Sequence, residues 1–76
     1  MNKWFVTEIT KVSDSEAYAK AITEKDTYDE ALALYHQILA SAYANPNMEY
    51  ALVYITNYYG GTDMMERYEP AAEAEV

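Results

Sequence analysis

Alternating apolar and polar positions open the chain and predict a β-strand over residues 3–12. Two sets alternate along this segment: Phe5, Thr7 and Ile9 on one face, and Trp4, Val6 and Glu8 on the other. A period of two that is rich in β-branched and aromatic residues is typical of a strand. After a polar turn at residues 13–16, the segment AYAKAIT alternates alanines with larger side chains and predicts an antiparallel second strand. Its alanine content would also suit a helix, but the short connection and the polar break at residues 24–26 favour a hairpin.

The next element is predicted to be a helix from about Tyr28 to Ala44. Thr27 and Glu30 have the spacing of a capping box, and acidic residues in the first turn suit the positive end of the helix dipole. The sequence Asn45-Pro46-Asn47 ends the helix, because proline cannot continue it. The apolar residues of this helix cover an arc of about 180°, wider than the ~100° stripe that burial on one sheet requires. We therefore expect a second surface to share the helix.

Two further strands are predicted after the helix. Residues 49–59 are nearly continuous in apolar and aromatic side chains, which indicates a central strand. Gly60-Gly61 predicts a tight two-residue hairpin turn, and residues 62–69 return as an edge strand. The predicted fold class is α+β, with the order ββαββ: a four-stranded antiparallel sheet with one helix packed on one face. A single domain spans residues 1–69, and residues 70–76 form an acidic, disordered C-terminal tail.

Such a layout leaves the second face of the sheet without cover. A chain of this size buries only about 60% of its unfolded surface, so its own core is marginal. We expect Trp4 and Val6 to lie on the uncovered face, together with one of two tyrosine rows drawn from Tyr50, Tyr54, Tyr58 and Tyr59. Self-association would cover these side chains, and the chain is predicted to be a homo-oligomer.

Composition narrows the function classes. The chain has 76 residues, 13 acidic and 5 basic, for a net charge of -8, and half of it is apolar. This charge disfavours general nucleic-acid and membrane binding. The absence of cysteine removes disulfides and thiolate chemistry, and the start of the chain predicts a complete cytoplasmic protein without a signal peptide. No membrane span is expected.

The sequence predicts neither catalysis nor a cofactor. One histidine cannot build a histidine metal cluster, and neither phosphate-loop nor nucleophile-elbow motifs occur. The carboxylates near the helix start are explained by capping, and paired-acid catalysis needs a cleft that so short a chain can hardly make. His36 borders the apolar arc, where a histidine is more often structural than functional.

Nine tyrosines are the unusual feature of the composition. Most must serve ordinary packing, but some could line a pocket in which flat ligands stack. Such a pocket would need cations for phosphate, and the chain offers five: Lys3, Lys11, Lys20, Lys25 and Arg67. Arg67 alone can bind phosphate in a bidentate manner.

The strand KWFVTEIT and the segment from AITEKDTYDEA onwards contain a set of short motifs at Ala21, Ile22, Asp26, Thr27, Glu30, Ala31, Tyr35, His36, Ser41, Ala42 and Asn45, followed by Gly60 and Arg67. In these positions the chain resembles small, mostly uncharacterised proteins of Firmicutes phages and prophages. The resemblance covers about nine-tenths of the chain, and its motifs are short and mostly structural. The chain departs from the pattern in lacking a glycine turn between the first two strands.

The resemblance implies an anti-defence role in the host bacterial cytoplasm. Some small oligomeric phage proteins act as sponges that sequester nucleotide immune signals at subunit interfaces. The comparison of this chain with them is an analogy of fold alone. On this hypothesis Trp4, Tyr35 or Tyr43 would stack on a base, while Lys20, His36 and Arg67 would contact phosphate or ribose. The ligand would be a cyclic oligonucleotide or an ADP-ribose derivative.

Two alternatives remain open at this point. The first is that the chain is an acidic inhibitor that binds a host defence enzyme by imitating nucleic acid. This function predicts carboxylates in phosphate-like rows, whereas the acidic residues are spread fairly evenly along the chain. A minor virion component predicts assembly with capsid or tail proteins and no affinity for small molecules.

Overall fold

The sheet and the helix form in the predicted order. A computed structural model describes residues 3–70. Its elements are the strands β1 (Trp4–Val12) and β2 (Ala19–Lys25), the helix α1 (Tyr28–Ala44), and the strands β3 (Met48–Asn57) and β4 (Thr62–Tyr68). All neighbouring strands are antiparallel, in the spatial order β2-β1-β3-β4. The predicted α+β class, with the chain order ββαββ, is confirmed.

The helix begins at the predicted cap. Thr27 has extended backbone angles, and its Oγ1 accepts the Glu30 backbone N–H at 3.1 Å. The Thr27 hydroxyl also donates to the Glu30 carboxylate at 3.1 Å, where a complete capping box would use the Thr27 backbone N–H. Asn45 ends the helix by donating its backbone N–H to the carbonyl of Ala42. The helix limits are therefore marked by a side-chain cap at Thr27 and a backbone hydrogen bond from Asn45.

The core lies between the helix and the two central strands. Its buried members are Val6, Ala31, Tyr35, Leu39, Val53 and Ile55. Trp4 packs against this cluster, with its ring 6.4 Å from that of Tyr28. The prediction that Trp4 and Val6 lie on the uncovered face is therefore wrong. Because both faces of β1 are half apolar, the position of α1 decides which face is buried.

The β3–β4 turn is longer than predicted. Only Gly60 has a positive φ, of 89°, and the backbone N–H of Asn57 donates to the carbonyl of Gly61 at 2.9 Å. The Asn57 side-chain oxygen accepts the N–H groups of Tyr59 and Gly61, both at 3.0 Å. These bonds enclose a three-residue loop, a hairpin class that needs one left-handed residue. Strand β3 therefore ends at Asn57, and Tyr59 lies in the loop with 83% of its surface exposed.

The structure describes most of the predicted domain but only the first residue of the predicted C-terminal tail. Residues 3–69 of the predicted domain are covered. Of the predicted tail only Pro70 is described, and residues 71–76 lie outside the described residues.

Candidate functional site

The sheet face opposite the helix is the main candidate for a functional surface, and we call it the open face. Side chains alternate along a strand, so the burial of Val6 under the helix places its neighbours Phe5 and Thr7 on the open face. Two cross-strand rows form its centre. The first consists of Ile22, Thr7, Tyr54 and Met65. The second consists of Lys20, Ile9, Leu52 and Arg67.

The two rows are more exposed at their ends, on the edge strands, than in their middle. Thr7, on the central strand β1, is only 3% exposed. Ile22 on β2 is 59% exposed and Met65 on β4 is 66% exposed. Tyr18 and Tyr50 extend the apolar surface at one end, with ring centroids 5.5 Å apart in an edge-to-face arrangement. A contiguous apolar surface of this kind is typical of a site that another molecule covers.

Cations gather on the open face of an otherwise acidic molecule. Lys11, Lys20 and Arg67 project from it, and they are three of the five cations in the chain. Lys11 is paired with Glu49 at 2.7 Å, and Arg67 is paired with Glu69 at 3.0 Å. Within residues 3–70, no carboxylate lies within ion-pair distance of Lys20. Of these three cations, Lys20 is therefore the one that an anionic group could approach without displacing a carboxylate.

Four of the six predicted ligand-binding residues lie on the helix side of the sheet. Tyr35 is buried in the core, where burial raises the pKa of its phenol. His36 is exposed, and its ring meets that of Tyr35 at 5.3 Å. Tyr43 donates its hydroxyl to Glu66 and packs on Tyr68 with ring centroids 4.5 Å apart. Trp4, the fourth, packs beside Tyr28 as described above.

The remaining two, Lys20 and Arg67, lie on the open face. They occupy opposite edge strands of one cross-strand row, with Ile9 and Leu52 between them. The sheet therefore separates these cations from the four residues on the helix side. A site that used all six would have to combine residues of more than one copy, and its existence stays a prediction.

The sequence pattern missed the residues that make the open face apolar at its margins. Ile22 and Met65 can be assigned to the exposed face only when the position of α1 on the sheet is known. Side chains alternate between the two faces along β2 and β4. This alternation assigns Ile22 and Met65 to the same face as Thr7 when the buried face of one strand is known. Tyr50 and Tyr54, two of the four tyrosines from which a row on the uncovered face was predicted, lie on the open face, although Trp4 and Val6 do not.

Residues 3–70 contain neither a metal-ligand cluster nor a membrane-spanning helix. No three His, Asp or Glu side chains gather closely enough to hold a metal ion. The helix of this part of the chain lacks the length and hydrophobicity that crossing a bilayer requires.

Comparisons with known proteins add no relatives. No family model matches this chain, and neither a curated protein nor a solved structure matches it significantly. The resemblance to phage proteins therefore stays a prediction.

Proposed function

We propose that this chain is a non-enzymatic binding protein that self-associates through its open face. The observation that carries this proposal is the exposure of Ile22 and Met65 beside a row of buried or half-buried apolar side chains. A sheet with a helix on one face only is incomplete as a two-layer structure unless its second face is polar or covered. The open face carries Glu24, opposite Phe5, as well as Lys20 and Arg67. Charges of opposite sign can therefore meet when two copies pair across a two-fold axis.

The size of the open face sets the expected strength of association. Strand β2 has seven residues, and with about 3.3 Å per residue and about 4.8 Å between strands the face measures about 440 Å² in plan. A standard interface buries about 800 Å² on each partner. The open face is smaller than this standard size, so we expect a weak, concentration-dependent dimer with a dissociation constant between about 1 μM and 1 mM.

Analytical ultracentrifugation from about 5 μM to about 1 mM tests this proposal. The variant Ile22→Glu places a charge on the open face, and because Ile22 is already exposed the fold should survive. We expect the variant to remain a monomer at concentrations at which the unmodified chain is a dimer. Tyr59→Glu is the matched control, since Tyr59 is large and exposed but lies in the β3–β4 turn. A chain that is monomeric throughout, or an Ile22→Glu variant that still dimerises, would contradict the proposal.

Capture of a nucleotide-type ligand is the second candidate function. The observation that favours it is the position of Lys20 and Arg67 on the same face as the Tyr50 and Tyr54 rings, which could supply stacking. Two copies would double the number of cations around a shared ligand. The viral origin and the location in a bacterial cytoplasm stay predictions that belong to this candidate.

Calorimetry tests nucleotide capture directly. The ligands are cyclic di- and trinucleotides and ADP-ribose derivatives, titrated into the unmodified chain and into a double variant, Lys20→Ala with Arg67→Ala. We expect saturable heat for at least one ligand and its loss in the double variant. Lys25→Ala removes a cation from the other face and should bind normally. If no ligand gives heat, this second function fails while self-association is unaffected.

A further inference from the structure

Glu8 is the one charged residue on the helix side of the central strand β1. The other positions on this side are Trp4, Val6, Thr10 and Val12. Its cross-strand neighbours are Ala21 on β2 and Val53 on β3. Glu8 is half-buried, and no side chain among residues 3–70 forms an ion pair with its carboxylate.

Glu8 lines a cleft between the helix and the sheet. The cleft has a volume of about 310 Å³, within the range of small-ligand sites. It forms because the helix packs on β1 and β3 and leaves the small side chains of β2, Ala19 and Ala21, exposed. The apolar part of its lining consists of Leu34, Ile38, Ala42 and Met48.

The polar lining of the cleft is rich in oxygen. Besides Glu8, the lining residues that carry side-chain oxygens are Thr10, Gln37, Ser41 and Asn45, and the Oδ1 of Asn45 already accepts the backbone N–H of Asn47 at 2.9 Å. Among residues 3–70, no cation forms an ion pair with Glu8. Glu8 is also the only ionisable group in the lining. The cleft therefore offers one uncompensated negative charge, several oxygen acceptors and an apolar wall.

We propose that this cleft binds a small primary amine with an apolar body. An alkylammonium group has three donors and no acceptor, and it can donate to Glu8 and to neighbouring oxygens at the same time. Its hydrocarbon part would contact Leu34 and Ile38. The cleft lies on the opposite side of the sheet from the open face, so this proposal is independent of self-association and of nucleotide capture. An anionic ligand would be repelled from it.

Titration of the ¹⁵N-labelled full chain with pentylamine, followed by NMR, tests the proposal. We expect saturable shifts at the backbone amides of Glu8, Ile38 and Ser41. Because a hydrogen bond to a charged group is involved, Glu8→Gln should weaken the affinity about tenfold or more. Glu49→Gln is the matched control, since it removes a carboxylate that lies outside the cleft and should leave pentylamine binding unchanged.

A comparison with an uncharged ligand tests the role of the ammonium group without a variant. Pentanol has the same body without the charge, and we expect it to bind the unmodified chain about tenfold more weakly or not at all. This comparison needs no variant, so it stands even if Glu8→Gln folds poorly. Equal affinity for pentanol and pentylamine, or no saturable shifts with either, would overturn the proposal.

Discussion

Thr27 is the residue whose local role is most sharply defined. It stands between β2 and α1 and satisfies a backbone N–H of the first helical turn, which no carbonyl within the helix can reach. The core residues Ala31 and Tyr35 follow it in the first two turns. The cap therefore fixes where the helix begins and, with it, which side chains enter the core.

Replacement of Thr27 by Ala should lower the free energy of unfolding by about 1 kcal/mol, because the N–H of Glu30 loses its acceptor. For a domain of this size the midpoint of thermal unfolding should fall by about 4–8 °C. Circular dichroism at a fixed protein concentration measures both quantities; the concentration must be fixed because association would add to the apparent stability.

Thr27→Ser is the control for this prediction. Serine keeps the hydroxyl and should unfold within a few tenths of a kcal/mol of the unmodified chain. If alanine and serine have the same effect, the hydroxyl does not contribute to stability, and the interpretation of Thr27 as the cap fails.

At the scale of elements, the hydrophobic periodicity was sufficient to predict the strands and the helix, but it did not determine which face of each strand is buried. The helix limits, Tyr28 and Ala44, follow from a capping signal and a proline, which act within a few residues. The orientation of β1 depends on contacts with α1, more than 20 residues away, and both of its faces carry apolar side chains. Local signals could not decide between them, and the prediction for Trp4 and Val6 was wrong for this reason.

The turn between β3 and β4 and the surfaces of the sheet also depend on contacts that local sequence signals do not determine. Two adjacent glycines predict a two-residue turn, but the Asn57 side chain organises a longer loop that needs only Gly60 in the left-handed region. The element order predicted a sheet face without cover, and no element within residues 3–70 covers the face opposite the helix. Its marginal residues Ile22 and Met65, and the cleft around Glu8, depend on where the helix is placed across the sheet. No pattern within a single strand records that placement.

At the scale of the whole molecule, charge is distributed unevenly between the two sides. The helix carries no lysine or arginine, and Glu8 and Glu66 lie on its side of the sheet. Lys11, Lys20 and Arg67 lie on the open face. Two copies that meet at their open faces therefore place their more acidic sides outward, as far from each other as the contact allows.

The net charge of -8 on each copy nevertheless opposes association, and this opposition leads to a salt dependence. Two such charges about 20 Å apart repel by on the order of 10 kcal/mol in water before screening. Raising the NaCl concentration from about 0.01 M to about 1 M shortens the Debye length from about 30 Å to about 3 Å. We expect the dimer dissociation constant to fall by at least about tenfold over this range, as measured by analytical ultracentrifugation.

The matched variant for this prediction carries Asp14→Asn and Glu16→Gln, which neutralise two exposed acids in the β1–β2 turn and change the net charge to -8 + 2 = -6. It should dimerise more tightly than the unmodified chain at low salt and equally at high salt, because only the long-range repulsion differs. Nucleotide capture through Lys20 and Arg67 predicts the opposite trend, since salt screens the attraction between these cations and phosphate. A dimer that weakens with salt would mean that attractive charge pairs between the copies outweigh their net repulsion, which would contradict a predominantly apolar contact between open faces.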